Sequence, residues 1–227
     1  MPPPVQPLRW HVLASLVLML IDGAATLALL LLCYFLYRAY RLTRSQLFFF
    51  FLLGFGLLAA GETARMLLLA AAFLARAPLL AFFLAHGFGP APLLLQTAAL
   101  LLIAVGYAVE LAQLRCAREQ AEPAAALIPL LPLFALQRVW GGLFLTLAFV
   151  NIALSLFILL NAVSVHLSTK STNSILPVVA FAMLLLSNVL LPLSVISGSE
   201  ELFVASKALY LFGLLSFLAL AARVARA

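Results

Sequence analysis

The chain has 227 residues, of which 67% are hydrophobic and only 9% are charged. Soluble globular proteins are roughly 45–50% apolar, so this composition excludes an ordinary soluble domain and predicts a protein whose main partner is the lipid bilayer. The net charge of +6 does not indicate a nucleic-acid partner, because the basic residues are scattered singly rather than clustered in one patch.

Long apolar runs separated by short polar gaps predict seven transmembrane helices, since one span needs about 20 apolar residues. In chain order the predicted helices cover about 11–37, 47–73, 91–114, 124–137, 139–165, 174–197 and 202–223. The fourth run is short and contains Pro129 and Pro132, which predicts a short or kinked helix. The expected fold class is therefore all-α, a single integral membrane domain built as a seven-helix bundle in the cell membrane.

The distribution of Arg and Lys predicts the orientation, because cytoplasmic loops carry an excess of basic residues. With the N-terminus outside and the C-terminus inside, eight basic residues fall on the inner side and three on the outer side. A rival division breaks the second span at Gly61–Arg65 to give eight helices, and then moves five of the inner basic residues outside. The N-out, C-in arrangement of seven helices is therefore favoured.

An internal similarity suggests that the chain contains a repeat. Shifting the sequence by 126 residues aligns the second and sixth spans without a gap. This alignment places Gly54-Phe55-Gly56 over Ala180-Phe181-Ala182, and Glu62 over Asn188. The hypothesis is a 3+1+3 architecture, in which two three-helix units run parallel because the fourth helix between them restores the direction of the chain.

Microbial rhodopsins and SWEET sugar transporters share this helix count and topology, but the chain departs from both. Lys207 lies only about six residues into the last span, and Phe203 stands one turn earlier, where a rhodopsin carries an Asp. The first and fifth spans have no Pro, whereas a SWEET transporter has Pro in both. Neither family is therefore expected.

A weaker similarity is to uncharacterised archaeal seven-helix membrane proteins. The run Tyr37-Arg38-Ala39-Tyr40-Arg41-Leu42-Thr43-Arg44-Ser45 resembles the end of their first helix, and Leu53-Gly54-Phe55-Gly56-Leu57-Leu58 resembles the start of their second. Their last helix is similar to Leu209-Tyr210-Leu211-Phe212-Gly213-Leu214-Leu215. This resemblance implies the seven-helix fold and no particular activity.

Asp22 is the most informative polar residue, because it lies near the middle of the first span. An aspartate is too short to reach the membrane surface, so it must be paired, protonated or hydrated. We expect it to face the interior of the bundle, with Arg65 or Lys207 as its partner. Four other polar residues of the span fall on the same helical face: His11, Ser15, Thr26 and Cys33.

The other members of the predicted intramembrane polar site are Glu62, Arg65, Asn188 and Lys207. Glu62 and Arg65 are three residues apart on one helix and can neutralise each other. In the predicted topology all of these residues lie in the outer half of the membrane. Gln96 is expected at a similar depth, and Asn151 lies near the middle of the fifth span.

Three classes of function fit these residues. The first is a small transporter or membrane sensor that handles an unknown small solute or a proton at the site around Asp22. The second is a structural subunit that pairs the same charges across its helices or with a membrane protein partner. A hydrated cavity at Asp22 favours the first class, and a dry ion pair favours the second.

The third class is an intramembrane enzyme. Glu62-Thr63-Ala64-Arg65 and Phe82-Phe83-Leu84-Ala85-His86 are similar to the Glu-rich and Phe-x-x-x-His motifs of CAAX-type prenyl proteases. The paired Glu of those motifs is missing, and so is a further His at the required spacing. The sequence therefore favours a non-enzymatic protein, and no catalytic residue, cofactor or metal ligand is predicted.

The predicted orientation can be tested by cysteine labelling on whole cells. A cysteine placed at Ser199 should react with a membrane-impermeant thiol reagent from outside, because the loop before the last span is predicted to be extracellular. A cysteine at Ser171 should react only after the membrane is opened. The opposite labelling pattern would show that the orientation is inverted.

Overall fold

The computed structural model of the chain describes residues 7–74, 90–116, 140–169 and 174–224. These residues contain six long α-helices and no strand. Each of the six includes a segment long and apolar enough to cross a membrane, so the all-α fold predicted from the sequence is confirmed for them, and their length and composition suit a multi-pass membrane protein. The span predicted at 124–137 lies outside the described residues. The helices are α1 Pro7–Thr43, α2 Gln46–Leu74, α3 Pro90–Cys116, α4 Trp140–Thr169, α5 Ile175–Ser197 and α6 Glu200–Val224.

Five of the six helices extend at one or both ends beyond the apolar runs that predicted them. α1 continues past residue 37 as far as Thr43, because Arg and Leu residues support a helix even where it leaves the hydrocarbon. It ends at Arg44, which has a positive φ of 55°. α2 passes without interruption through Gly61–Arg65, so the eight-helix division at this point is wrong.

The six helices form a closed ring. Each helix packs against the next in the chain order, and α6 packs against α1. Every helix therefore has two main neighbours, and its remaining surface faces either the centre of the ring or the surroundings. Exposed leucines on the outer faces, such as Leu20 and Leu160, are those expected of helices that contact lipid.

The contacts between the helices also fix their directions. Gln46, at the start of α2, accepts a hydrogen bond from Gln113, near the end of α3. His166, near the end of α4, is 2.7 Å from the Ser174 hydroxyl at the start of α5. At one end of the ring, α1 turns into α2 through Arg44, and at the other α5 turns into α6 through Gly198. We call these the Arg44 end and the Gly198 end.

α1, α3, α4 and α6 all run towards the Arg44 end, whereas α2 and α5 run the other way. α3 and α4 are therefore parallel neighbours, although they follow each other in the chain. Consequently Cys116, the last residue of α3, and Trp140, the first residue of α4, lie at opposite ends of the ring.

Aromatic side chains fill the centre of the ring in the half that adjoins the Arg44 end. Phe181 of α5 and Phe217 of α6 have ring centroids 4.6 Å apart, and Phe51 of α2 contacts both. Phe55 and Tyr107 complete this aromatic cluster. Edge-to-face geometry dominates among these pairs, as is usual for packed aromatic rings. The cluster joins α2, α3, α5 and α6 through apolar contacts.

Glycine allows α2 and α3 to approach closely beside this cluster. A Cβ added at Gly54 would lie 2.8 Å from a side-chain carbon of Ile103 and 2.9 Å from the Ala99 carbonyl oxygen. Close approach of two backbones through small residues is a common way for transmembrane helices to pack without a hydrophobic driving force. In contrast, a Cβ at Gly56 would meet nothing within 4 Å.

Gly54 and Gly56 provide a matched test of this packing. Gly54→Ala should lower the free energy of unfolding in detergent micelles by about 1–3 kcal/mol, the usual cost of overpacking. Gly56→Ala should leave the stability unchanged or raise it, because it gains helix propensity without a clash. Thermal unfolding followed by circular dichroism measures both. Equal effects of the two substitutions would contradict the close approach of α2 and α3.

Candidate functional site

Asp22 lies inside the ring and contacts two cationic side chains. It is 4% exposed, its Oδ2 is 2.7 Å from Nη2 of Arg65, and its Oδ1 is 3.2 Å from Nζ of Lys207. The predictions that Asp22 faces the interior and pairs with Arg65 or Lys207 are therefore confirmed, with both partners engaged. One turn later, the Thr26 hydroxyl donates to the Asp22 backbone carbonyl at 2.8 Å.

A second carboxylate completes the charge balance. Glu62 Oε2 lies 2.7 Å from Nη2 and 3.0 Å from Nε of Arg65, on the same helix. Arg65 therefore bridges Glu62 and Asp22, while Lys207 contacts Asp22 from α6 and lies 5.9 Å from the centre of the Phe203 ring. We call Asp22, Glu62, Arg65 and Lys207 the charged quartet. Its formal charges sum to zero, which lowers the cost of holding them away from water.

Neutral amides and hydroxyls connect the helices on the other side of the ring. The Thr97 hydroxyl of α3 donates to Oδ1 of Asn151 at 2.7 Å, and Nδ2 of Asn151 is 3.5 Å from Oε1 of Gln96. Nε2 of Gln96 donates to Oδ1 of Asn188 at 2.8 Å, and Nδ2 of Asn188 donates to the Ser155 hydroxyl at 2.8 Å. We call these five residues the amide chain, since their hydrogen bonds follow one direction from donor to acceptor.

Asn188 is the one predicted site residue that lies outside the charged quartet. It belongs to the amide chain, although the sequence grouped it with Asp22. The two clusters approach each other at α6, because Ser206, the residue before Lys207, donates to the Ser187 carbonyl at 3.0 Å. Ser187 in turn precedes Asn188 of the amide chain. The contact between Ser187 and Ser206 therefore brings the amide chain on α5 close to the charged quartet on α6.

The quartet and the amide chain lie at a similar depth in the half of the ring nearer the Gly198 end. A Cβ added at Gly61 would be 3.0 Å from Cδ1 of Leu95, which places the next residues, Glu62 of α2 and Gln96 of α3, at similar depths. Gln96 contacts Asn188 directly. The shared depth that the sequence predicted for Glu62, Gln96 and Asn188 is therefore confirmed. Every helix of the ring contributes a polar side chain to this polar layer.

Sequence reasoning did not identify the hydroxyl members of the polar layer. Thr97, Ser155, Ser187 and Ser206 carry little signal on their own, because a hydroxyl in a transmembrane helix can bond to its own backbone. The positions of Ser187 and Ser206 beside Asn188 and Lys207 were the available clue, since neighbouring polar residues at one depth indicate a shared contact.

The chemistry open to this site is proton exchange and hydrogen bonding. Asp22, Glu62 and Lys207 can each gain or lose a proton, and the amide chain offers only neutral donors and acceptors. Within the described ranges there is no group of three or more His, Cys, Asp or Glu side chains that could hold a metal ion. His86, which carried the similarity to the prenyl proteases, lies outside those ranges.

Comparison of the chain with protein-family models, with curated proteins and with solved structures gives no match.

A double-mutant cycle tests whether Asp22 and Lys207 interact as the distances indicate. Asp22→Asn should lower the free energy of unfolding by about 3 kcal/mol, because it leaves Lys207 without its carboxylate, and breaking a buried pair typically costs this much. The double variant with Lys207→Met should lose less than the sum of the single variants, since no uncompensated charge remains.

The cycle is measured by thermal unfolding in micelles, with Gln46→Ala as a control that removes an exposed hydrogen bond. Strict additivity of Asp22→Asn and Lys207→Met would mean that the two side chains do not interact.

Proposed function

We propose that the chain is a small, non-enzymatic membrane transporter or sensor made of two three-helix halves. The first half is α1 to α3 and the second is α4 to α6. Protonation of Asp22 separates the halves at the Gly198 end. The observation that carries this proposal is that the ion pair between Asp22 and Lys207 joins α1 to α6, which are helices of different halves.

The two halves meet along two seams, and both seams are polar at the same depth. At the seam between α6 and α1, the contact is the ion pair of Asp22 and Lys207. At the seam between α3 and the second half, it is the amide chain, which links Gln96 to Asn151 and Asn188. Within each half, glycine lets the helix backbones approach closely, at Gly54 beside Ala99 and at Gly213 beside Ala180. At this depth the contacts that join the halves are ion pairs and hydrogen bonds, which a change of charge can weaken.

Burial supports the internal repeat on which the two halves rest. The predicted shift of 126 residues pairs Phe55 of α2 with Phe181 of α5, and both side chains are fully buried at the centre of the ring. The same shift extends to α1 and α4, which the sequence alignment did not include. Ala25, Leu29, Leu32 and Leu36 of α1 are buried, as are the residues 126 positions later, Asn151, Ser155, Ile158 and Ala162.

The directions of the helices support the seven-helix part of the proposal. α3 and α4 are parallel, so the chain must return from the Arg44 end to the Gly198 end between Cys116 and Trp140. The span predicted at 124–137 would make that return, and α1–α3 would then be related to α4–α6 by an axis along the membrane normal, as in parallel repeats of transporters. With the predicted orientation, the polar layer lies in the outer half of the membrane.

The charges at the seam suit a switch driven by protons. Two ionised groups buried in a medium of low dielectric attract strongly, but each is costly to hold if its partner is neutralised. When Asp22 takes up a proton, Arg65 remains paired with Glu62. In contrast, Lys207 has no second carboxylate within ion-pair distance among the described residues. Neutralising Asp22 therefore weakens its contacts to both α2 and α6, but the cost of an unpaired buried charge falls on Lys207, at the seam between α1 and α6.

A structural subunit is the second candidate, and it is the one that a buried ion pair at Asp22 was expected to favour. Asp22 is buried and lies within ion-pair distance of two cations, which is the arrangement expected of an interhelical lock. In that case the quartet would hold the ring in one conformation at all pH values. The two candidates therefore differ in whether the halves separate on acidification.

Distances between spin labels at the two ends of the ring distinguish these candidates. One pair joins exposed Ala70 of α2 and Ser197 of α5, towards the Gly198 end, and the control pair joins exposed Thr43 and Ser168, towards the Arg44 end. Acidification should lengthen the first distance and leave the second unchanged. Pulsed electron resonance in nanodiscs measures both.

In Asp22→Asn, the first distance should be long at every pH, because the asparagine mimics the protonated acid. Thr26→Val, one turn away, should behave like the wild type. A first distance that is independent of pH in the wild type and unchanged in Asp22→Asn would refute the switch and leave the structural role.

A further inference from the structure

The outer face of α1 carries a stripe of exposed residues that changes in character along the helix. Leu27 and Leu30 come first, Tyr34 and Tyr37 follow, and all four are exposed. At 100° per residue these side chains and the two exposed arginines that come next, Arg38 and Arg41, fall within about 120° of one another. The stripe therefore runs from aliphatic through aromatic to cationic on one side of the ring.

We infer that this stripe binds an anionic phospholipid, with the acyl chain along the leucines and the phosphate group at Arg38 and Arg41. We call it the lipid stripe. From Leu27 to Arg41 the helix rises about 21 Å at 1.5 Å per residue. Half of a bilayer of about 40–45 Å, including its headgroups, is the same length. The lipid stripe thus matches one leaflet, with tyrosines at the level where aromatic belts occur.

Charge complementarity identifies the lipid as anionic. Arg44, next to the stripe, is exposed, and its guanidinium lies 5.9 Å from the centre of the Tyr40 ring. Arg223, at the same end of the neighbouring helix α6, is also exposed. Guanidinium groups bind phosphate oxygens in bidentate fashion, and each basic side chain near an anionic membrane surface contributes measurably to attraction.

Among the described residues, the acidic side chain nearest this end is Glu110. It lies on α3, whereas the main contacts of α1 are with α2 and α6. Neither Arg38 nor Arg41 forms an ion pair with a carboxylate of the described residues. An anionic headgroup is the complementary partner.

α6 carries a similar exposed face beside α1. Phe212 and Leu215 are exposed on its outer surface, and the exposed residues Ala219 and Arg223 follow on the same side. Because α1 and α6 are parallel neighbours, two lipid-facing helices present arginine at the same end. A lipid with two acyl chains and one negative headgroup fits such a surface.

Native mass spectrometry tests this inference with the full chain in micelles that contain phosphatidylglycerol and phosphatidylcholine of identical acyl chains. The wild type should retain phosphatidylglycerol in preference to phosphatidylcholine. Arg38→Gln and Arg41→Gln should each lower the apparent affinity about fivefold, and the double variant about 30-fold. Arg9→Gln, at the other end of α1, should retain phosphatidylglycerol as the wild type does.

Thermal stability in phosphatidylcholine alone checks that the variants fold. Glycerol 3-phosphate, the soluble headgroup fragment, should not shift the melting temperature, because it cannot contact the leucines. Three results would overturn the inference: equal retention of both lipids, a loss in Arg9→Gln as large as in the double variant, or stabilisation by glycerol 3-phosphate equal to that by phosphatidylglycerol.

Discussion

The structure depends on the neutralisation of Asp22 inside an apolar ring. An ionised aspartate at the centre of a lipid-facing helix costs about 2.5–3.5 kcal/mol on insertion scales. The ring meets this cost by turning Asp22 inwards and placing two cations within 3.2 Å of its oxygens. Arg65 requires a second anion, which Glu62 supplies one turn earlier on α2. The position of one carboxylate thus fixes how α1, α2 and α6 are arranged around it.

Different interactions join the helices towards the two ends of the ring. Towards the Gly198 end, hydrogen bonds and ion pairs join the helices in the polar layer. Towards the Arg44 end, Phe51, Phe181, Phe217 and their neighbours make close apolar contacts. Directional polar contacts weaken steeply when one partner is neutralised or rotated, whereas aromatic packing tolerates small shifts. This contrast is the physical basis for proposing movement at the Gly198 end around a persistent aromatic cluster.

Much of this fold could be predicted from the sequence, because the bilayer imposes strong constraints. Apolar length identified all six described helices, and the cost of a buried charge identified Asp22 together with both of its partners. The C-terminal end of α1 could not be predicted from hydropathy, since the apolar run ends before Arg38 and Arg41 whereas the helix continues through them. The amide chain escaped prediction for a different reason. Hydrogen bonds between Gln96, Asn151 and Asn188 depend on which helices are neighbours, and the sequence does not specify that α3 lies beside α4.

The ion pairs of Asp22 with Arg65 and Lys207 inside the ring require an ionised carboxylate. Infrared difference spectroscopy of the reconstituted protein, comparing wild type with Asp22→Asn at neutral pH, measures this protonation state directly. If Asp22 forms these ion pairs, the wild type lacks the carbonyl stretch of a protonated carboxylic acid at Asp22 and shows the two carboxylate stretches instead. A protonated carbonyl band at neutral pH that disappears in Asp22→Asn would contradict it.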